Sequence, residues 1–138
     1  MLDLAARADA TEKVVARFRN RPFDWRDRAT CLHLARAQMR ALGHRPPAIP
    51  DFRSPTGALT ALRKAGHDTL ESLIDSMLPR IAPLSMIVGD LALVPGVAPF
   101  DALAISAGNW TLLMYHQEAE GLANVKEALP QVTAAWRV

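Results

Sequence analysis

The chain changes its hydrophobic repeat partway along, and that change constrains the fold more than any single motif. Up to about Pro79 the apolar residues recur at the three- and four-residue spacing of helices. After about Ile81 they alternate or run in short bursts, as in strands. Helices followed by strands that can pair as hairpins imply an α+β domain, not an alternating α/β one. The expected architecture is a set of N-terminal helices packed on a small antiparallel sheet. A length of 138 residues fits one domain. It divides into an N-terminal helix within 1–21, a helical part over 22–80 and a sheet part over 81–138.

Turn and cap residues sharpen this outline. In "DATEKVVARFRNRP" Asp9 and Glu12 have the spacing of a capping box, Val14, Val15 and Phe18 share a face, and Pro22 stops the helix. A second helix is predicted from Thr30 to Leu42, closed by Gly43. The "HRPPAIP" after it reads as extended linker, because each proline restricts the residue before it. Ser54 followed by Pro55 opens a third helix that closes at Gly66, and Asp68 with Glu71 opens a fourth that ends before Pro79. Beyond it, "PLSMIVGDLALVPG" suggests one or two short strands. "ALAISAGNWTLLMY" reads as a hairpin turning at Gly108–Asn109, and "VTAAWRV" as a closing strand anchored by Trp136.

Composition excludes several function classes. No apolar run approaches the roughly 20 residues of a membrane span, and the acidic "MLDLAARADATEK" is no secretory leader. The expectation is a chain made in the cytoplasm and not inserted in a membrane. A single cysteine rules out an internal disulfide and a cysteine-based zinc site. Residues 1–69 hold 13 basic and 7 acidic side chains, and residues 70–138 hold 3 and 7. The arginines stand singly without interleaved aromatics, so they read as solvated helix faces and not as a nucleic-acid groove. There is no H-x-x-x-H pair, no glycine-rich phosphate loop and no G-x-S-x-G elbow. No metal or other cofactor is expected.

The residue that points to chemistry is Cys31. With Thr30 as N-cap it falls in a first helical turn, where free amides and the helix dipole favour a thiolate. Burial as a small apolar residue is the competing reading. A nucleophilic thiol also needs a base. His33, two residues along the helix, points to another face, and His44 and His67 sit beside glycines at helix ends. His116, following a predicted strand in "LLMYHQE", is the histidine that the sheet can deliver.

The order of these segments carries a resemblance. "PFDWRDRATCLHLARAQMRALGH", then "DFRSPTGALTALRKAG", "GDLALVPG", "ALAISAG" and "AAWRV" resemble an uncharacterised family of phage- and prophage-encoded domains related to NlpC-type, papain-like cell-wall peptidases. The resemblance spans about Pro22 to Val138 and implies a papain-like fold with Cys31 at the nucleophile position. Three departures accompany it. Thr30 replaces an aspartate, Arg26 replaces a glycine after Trp25, and the Trp25–Cys31 interval is one residue longer. In active peptidases the strand begins His-Val-Gly-Ile; here "ALAI" puts Ala102 at the histidine position, with His116 near the third polar residue of the superfamily.

The resemblance implies a catalytically silent domain used as a structural or tail-assembly module. Its partners would be other phage or virion proteins or peptidoglycan fragments, and virion association its end point. The alternatives are a cysteine hydrolase of peptidoglycan amide bonds using Cys31 with His116, and a binding module whose cleft walls are Trp25 and Trp110. Core packing is the structural expectation for both tryptophans.

Overall fold

A computed structural model describes residues 2–115, 121–125 and 129–138. Four helices precede most of the sheet: α1 (Leu4–Phe18), α2 (Cys31–Ala41), α3 (Pro55–Lys64) and α4 (Leu70–Asp75). Six strands follow, β1 (Arg80–Ile81), β2 (Leu91–Val94), β3 (Ala102–Gly108), β4 (Thr111–Tyr115), β5 (Leu122–Val125) and β6 (Ala134–Trp136). They form one antiparallel sheet in the order β1-β6-β2-β3-β4-β5. The domain is therefore α+β. Among the described residues no helix is long and apolar enough to cross a membrane.

Caps explain where the helices begin, and two differ from the sequence expectation. α2 starts after Thr30, whose hydroxyl accepts the His33 amide, and α3 after Ser54, whose hydroxyl accepts the Gly57 amide. α1, however, is capped by Asp3, whose carboxylate accepts the Ala6 amide at 2.8 Å. Asp9 lies inside the helix and pairs with Lys13 at 3.2 Å. The early start has a tertiary reason, since it brings Arg7 into the core. α4 is capped by Thr69 and not Asp68, whose exposed carboxylate stands 3.9 Å from Arg63.

The hairpin between β3 and β4 turns one residue later than its Gly-Asn pair suggests. Asn109 and Trp110 occupy the turn with φ of 50° and 62°, and Gly108, at φ 85°, sits where the register shifts. Positive φ at both central residues is the requirement of a type I′ turn. Trp110 is thereby carried to the tip, 48% exposed, so it is neither core nor cleft wall. β5 has no counterpart in the sequence expectation, because "GLANV" lies between charged, helix-favouring residues. The closing strand does form, but as an inner strand between β1 and β2. Its Trp136 is fully buried and donates its indole N–H to Asp75 at 2.8 Å. Arg80 first, and then this indole, hold the Asp75 carboxyl below its ordinary range.

One face of the sheet carries the main core: Leu91, Leu93, Leu103 and Ile105 pack beneath Val15 and Phe18 of α1, Leu34 and Met39 of α2 and Ile74 of α4. Ala92, Val94, Ala104, Leu112 and Met114 form a smaller cluster on the other face. A buried ionic knot fastens the helices to the sheet. Arg7 is 1% exposed and Asp90 fully buried, with Nη2 and Oδ1 2.8 Å apart. Arg7 Nε donates to the Val88 carbonyl at 2.9 Å and Nη1 to the Val138 carbonyl. Asp90 also accepts the amides of Ile87 and Val138, and Arg137 approaches its second oxygen at 3.0 Å. Gly89, at φ +93°, makes this turn possible: a Cβ there would lie 3.0 Å from Thr11 and 3.1 Å from Gln38.

Removing one member of a buried pair strands the other charge, whereas replacing both with apolar groups does not. Asp90→Ala is expected to lower unfolding free energy by about 3–5 kcal/mol. The double variant Arg7→Met with Asp90→Leu should lose much less, with both measured by urea unfolding. Equal losses would show that the groups Asp90 serves besides Arg7, the amides of Ile87 and Val138 and the Arg137 guanidinium, carry the penalty.

Candidate functional site

A groove of about 600 Å³ opens where the start of α2 meets the ends of β2, β3 and β4. Its size is within the range of small-molecule sites. Two proline-containing segments, 46–50 and 95–99, form rims of the groove. Trp25 stands between Phe23, Phe52 and Phe100 at ring-centre distances of 5.3, 6.0 and 6.0 Å. A short loop presents it: Asp24 and Ala29 bond each other's backbone in both directions, and Arg28 takes φ 54° to close the turn. Trp25 is thus half-buried as a groove wall.

Cys31 is the first residue of α2 and lines this groove. The backbone explains what meets its sulfur. Ser106 exchanges hydrogen bonds with Gly89 and Asp90 on the β2 side. Alternation then turns the Leu103 amide towards the opposite edge of β3. The β3–β4 ladder reaches only to Ile105, so that edge is open at Leu103 and its N–H is directed at the Cys31 thiol. Burial pushes the thiol pKa up from its ordinary value, against the lowering influence of the Leu103, Cys31 and Leu32 amides. Desolvation wins, and the protonated thiol is favoured.

The positions singled out by resemblance fare differently. Ala102 opens β3 and lines the same groove, yet it packs with the cluster on the sheet face away from the helices. The feature of β3 that meets Cys31 is the Leu103 backbone. His116 lies outside the described residues. Tyr115, just before it, lines the groove and packs edge-on against Phe18 and Phe23; its buried hydroxyl has no hydrogen-bond partner among the described residues. None of His33, His44 and His67 lines the groove. Nor do three or more His, Cys, Asp or Glu side chains converge as a metal site among the described residues.

His33 has a structural task. Its Nδ1 lies 2.8 Å from the Thr30 hydroxyl, and its ring stacks obliquely on Phe52 at 5.6 Å. The hydroxyl accepts the His33 amide, which leaves its proton for Nδ1 of a neutral ring. Burial, aided by Arg28, Arg21 and Arg36, lowers the ring pKa to about 4.

The sequence profile described as Domain of unknown function (DUF6950) matches residues 4–138. The chain belongs to the DUF6950 family. No curated protein matches it. The matched span takes in α1 as well as the groove. In this DUF6950 chain the residues that sequence reasoning misses are those of the rims and the aromatic wall. "HRPPAIPDF" has the pattern of a linker, and only its prolines hint at a rigid wall.

Two titrations report on the site. Iodoacetamide should label Cys31 slowly at pH 7, at least tenfold slower than free cysteine, with the rate rising only above the ordinary thiol range near pH 8.5. Fast labelling at pH 6 would contradict the burial. For His33, the unfolded ring takes a proton below about pH 6.5 while the folded ring resists until about pH 4. Its contribution to stability is therefore complete above pH 6.5 and lost as pH falls towards 4. The thermal midpoint should drop over that window, and part of the drop should vanish in His33→Asn.

Proposed function

We propose that this chain is a catalytically silent papain-like domain of NlpC type that uses the groove beside Cys31 for binding. The observation that carries this reading is the state of the thiol. It holds the helix-start position of a nucleophile, yet burial raises its pKa, and the three described histidines lie off the groove. Missing general-base assistance costs about a hundredfold to ten-thousandfold in rate. The order of segments from the Cys31 helix to the "GDLALV" strand, together with the α+β architecture, supports kinship with the papain-like group. The same resemblance supports a phage or prophage setting, with a structural or tail-assembly role and virion proteins as partners.

The test is incubation with peptidoglycan fragments and with amide and thioester model substrates. No turnover that depends on Cys31 is expected. Turnover abolished by both Cys31→Ala and His116→Ala would replace this reading with an active cysteine hydrolase using that histidine as base.

A further inference from the structure

The lining of the groove points to a ligand class, and that class rests on the reading of the groove as a binding site. The walls are apolar and aromatic, and Met39, Leu62 and Leu73 of the helices line it beside the Trp25 cluster. Pro46, Pro47, Pro50, Pro55, Pro95 and Pro99 also line it. Proline has no backbone N–H, so these stretches offer few donors to a row of ligand carbonyls. The flanking strand edges are largely used as well: β3 is paired with β2 over Ala102–Ile105, and the open amide at Leu103 is directed at Cys31. A peptide backbone laid in such a groove would leave many of its polar groups unsatisfied.

Among the described residues a single cation, Arg36, stands at the rim. It is on α2, five residues beyond Cys31 and hence about 7.5 Å further along the helix axis. Its Nε donates to the Pro47 carbonyl at 2.9 Å, which fixes the guanidinium against the 46–50 rim. Among the described residues no carboxylate comes within 4 Å of it. Its terminal nitrogens can form the two-pronged contact that guanidinium makes with a carboxylate. The opposing charge, Asp101, lies beside Ala102 at the start of β3. It discourages an anion beside it and leaves Arg36 as the place for a carboxylate head.

We infer that the groove binds a single-chain carboxylate amphiphile, its head on Arg36 and its apolar chain along the helices and the Trp25 cluster. At roughly 30 Å³ per heavy atom, the share of a water molecule in the liquid, the volume holds at most about twenty such atoms. A medium-length chain meets that limit, whereas a two-chain phospholipid exceeds it.

The experiment is calorimetric titration of the full chain with octanoate, decanoate and dodecanoate below their micellar concentrations. One saturable site is expected, with affinity rising about fourfold per buried methylene. Arg36→Gln should weaken dodecanoate binding at least tenfold while leaving the melting profile intact, and dodecyltrimethylammonium should not compete. A flat chain-length series, or equal affinity for the cationic amphiphile, overturns the inference whether or not the Arg36 variant folds. So does co-sedimentation with phosphatidylglycerol vesicles, or binding of an apolar decapeptide, without saturable dodecanoate binding. An inert thiol with no dodecanoate site would sink the ligand class alone; Cys31-dependent turnover with intact dodecanoate binding would sink the silent-enzyme reading alone.

Discussion

Arg7 on α1 and Asp90 in the turn before β2 lie 83 residues apart in the sequence, and their buried contact fixes how the helices sit on the sheet. A guanidinium and a carboxylate taken out of water each lose several kcal/mol of solvation, recovered only where the geometry is tight and the remaining polar atoms are satisfied. Here Asp90 accepts two backbone amides besides Arg7, and Arg7 serves two carbonyls besides Asp90. Through Val88, Asp90 and Val138 the knot joins α1 to the turn before β2 and to the residues after β6. Gln38 adds α2 to the same turn by donating to Thr11 at 2.9 Å and to the Gly89 carbonyl at 3.1 Å. Three elements are thereby locked to one turn, and the start of α2 inherits its position relative to β3.

That inheritance decides the environment of Cys31. Two opposed effects act on its sulfur: the first-turn amides of α2, joined by the open Leu103 amide of β3, favour a thiolate, and removal from water disfavours it. Catalytic thiols resolve the contest towards the anion by adding a formal positive charge close by. Here three arginines near the start of α2 are committed elsewhere. Arg21 donates to the Asp27 carbonyl, Arg28 reaches the Ile49 carbonyl and Arg36 the Pro47 carbonyl. Their combined field is felt most at His33, whose ring it helps keep neutral.

Local rules are legible in the sequence and tertiary compensations are not. Thr30 and Ser54 cap as their chemistry dictates, because a hydroxyl beside a free amide needs no distant partner. Asp9 and Asp68 have the same chemistry and do not cap. Asp3 and Thr69 are equally able, and core contacts such as that of Arg7 decide between them. The Gly108–Asn109 pair announces a hairpin, but the extra residue at the Gly108 bulge moves the turn onto Trp110, which no propensity favours at positive φ. Of the groove, Cys31 and Trp25 are visible as candidates. Arg36 looks like one more solvated arginine and "HRPPAIP" like a linker, since neither a rim nor a cation set upon it exists until α2 and the sheet are brought together.

The aromatic wall is compatible with the proposed binding role whatever the state of the thiol. Phe23 and Trp25 share one loop, Phe52 and Phe100 come from two other segments, and the rings meet edge-on or tilted, which are favourable arrangements for rings of this kind. The wall is held by loop closure at Asp24–Ala29 and by packing, and none of it depends on the ionisation of Cys31. A protonated thiol is itself a small apolar surface and completes the groove floor without an uncompensated charge. Ionising it would place an anion among aromatic and aliphatic side chains, so the apolar character of the groove and the protonated state of the thiol support one another.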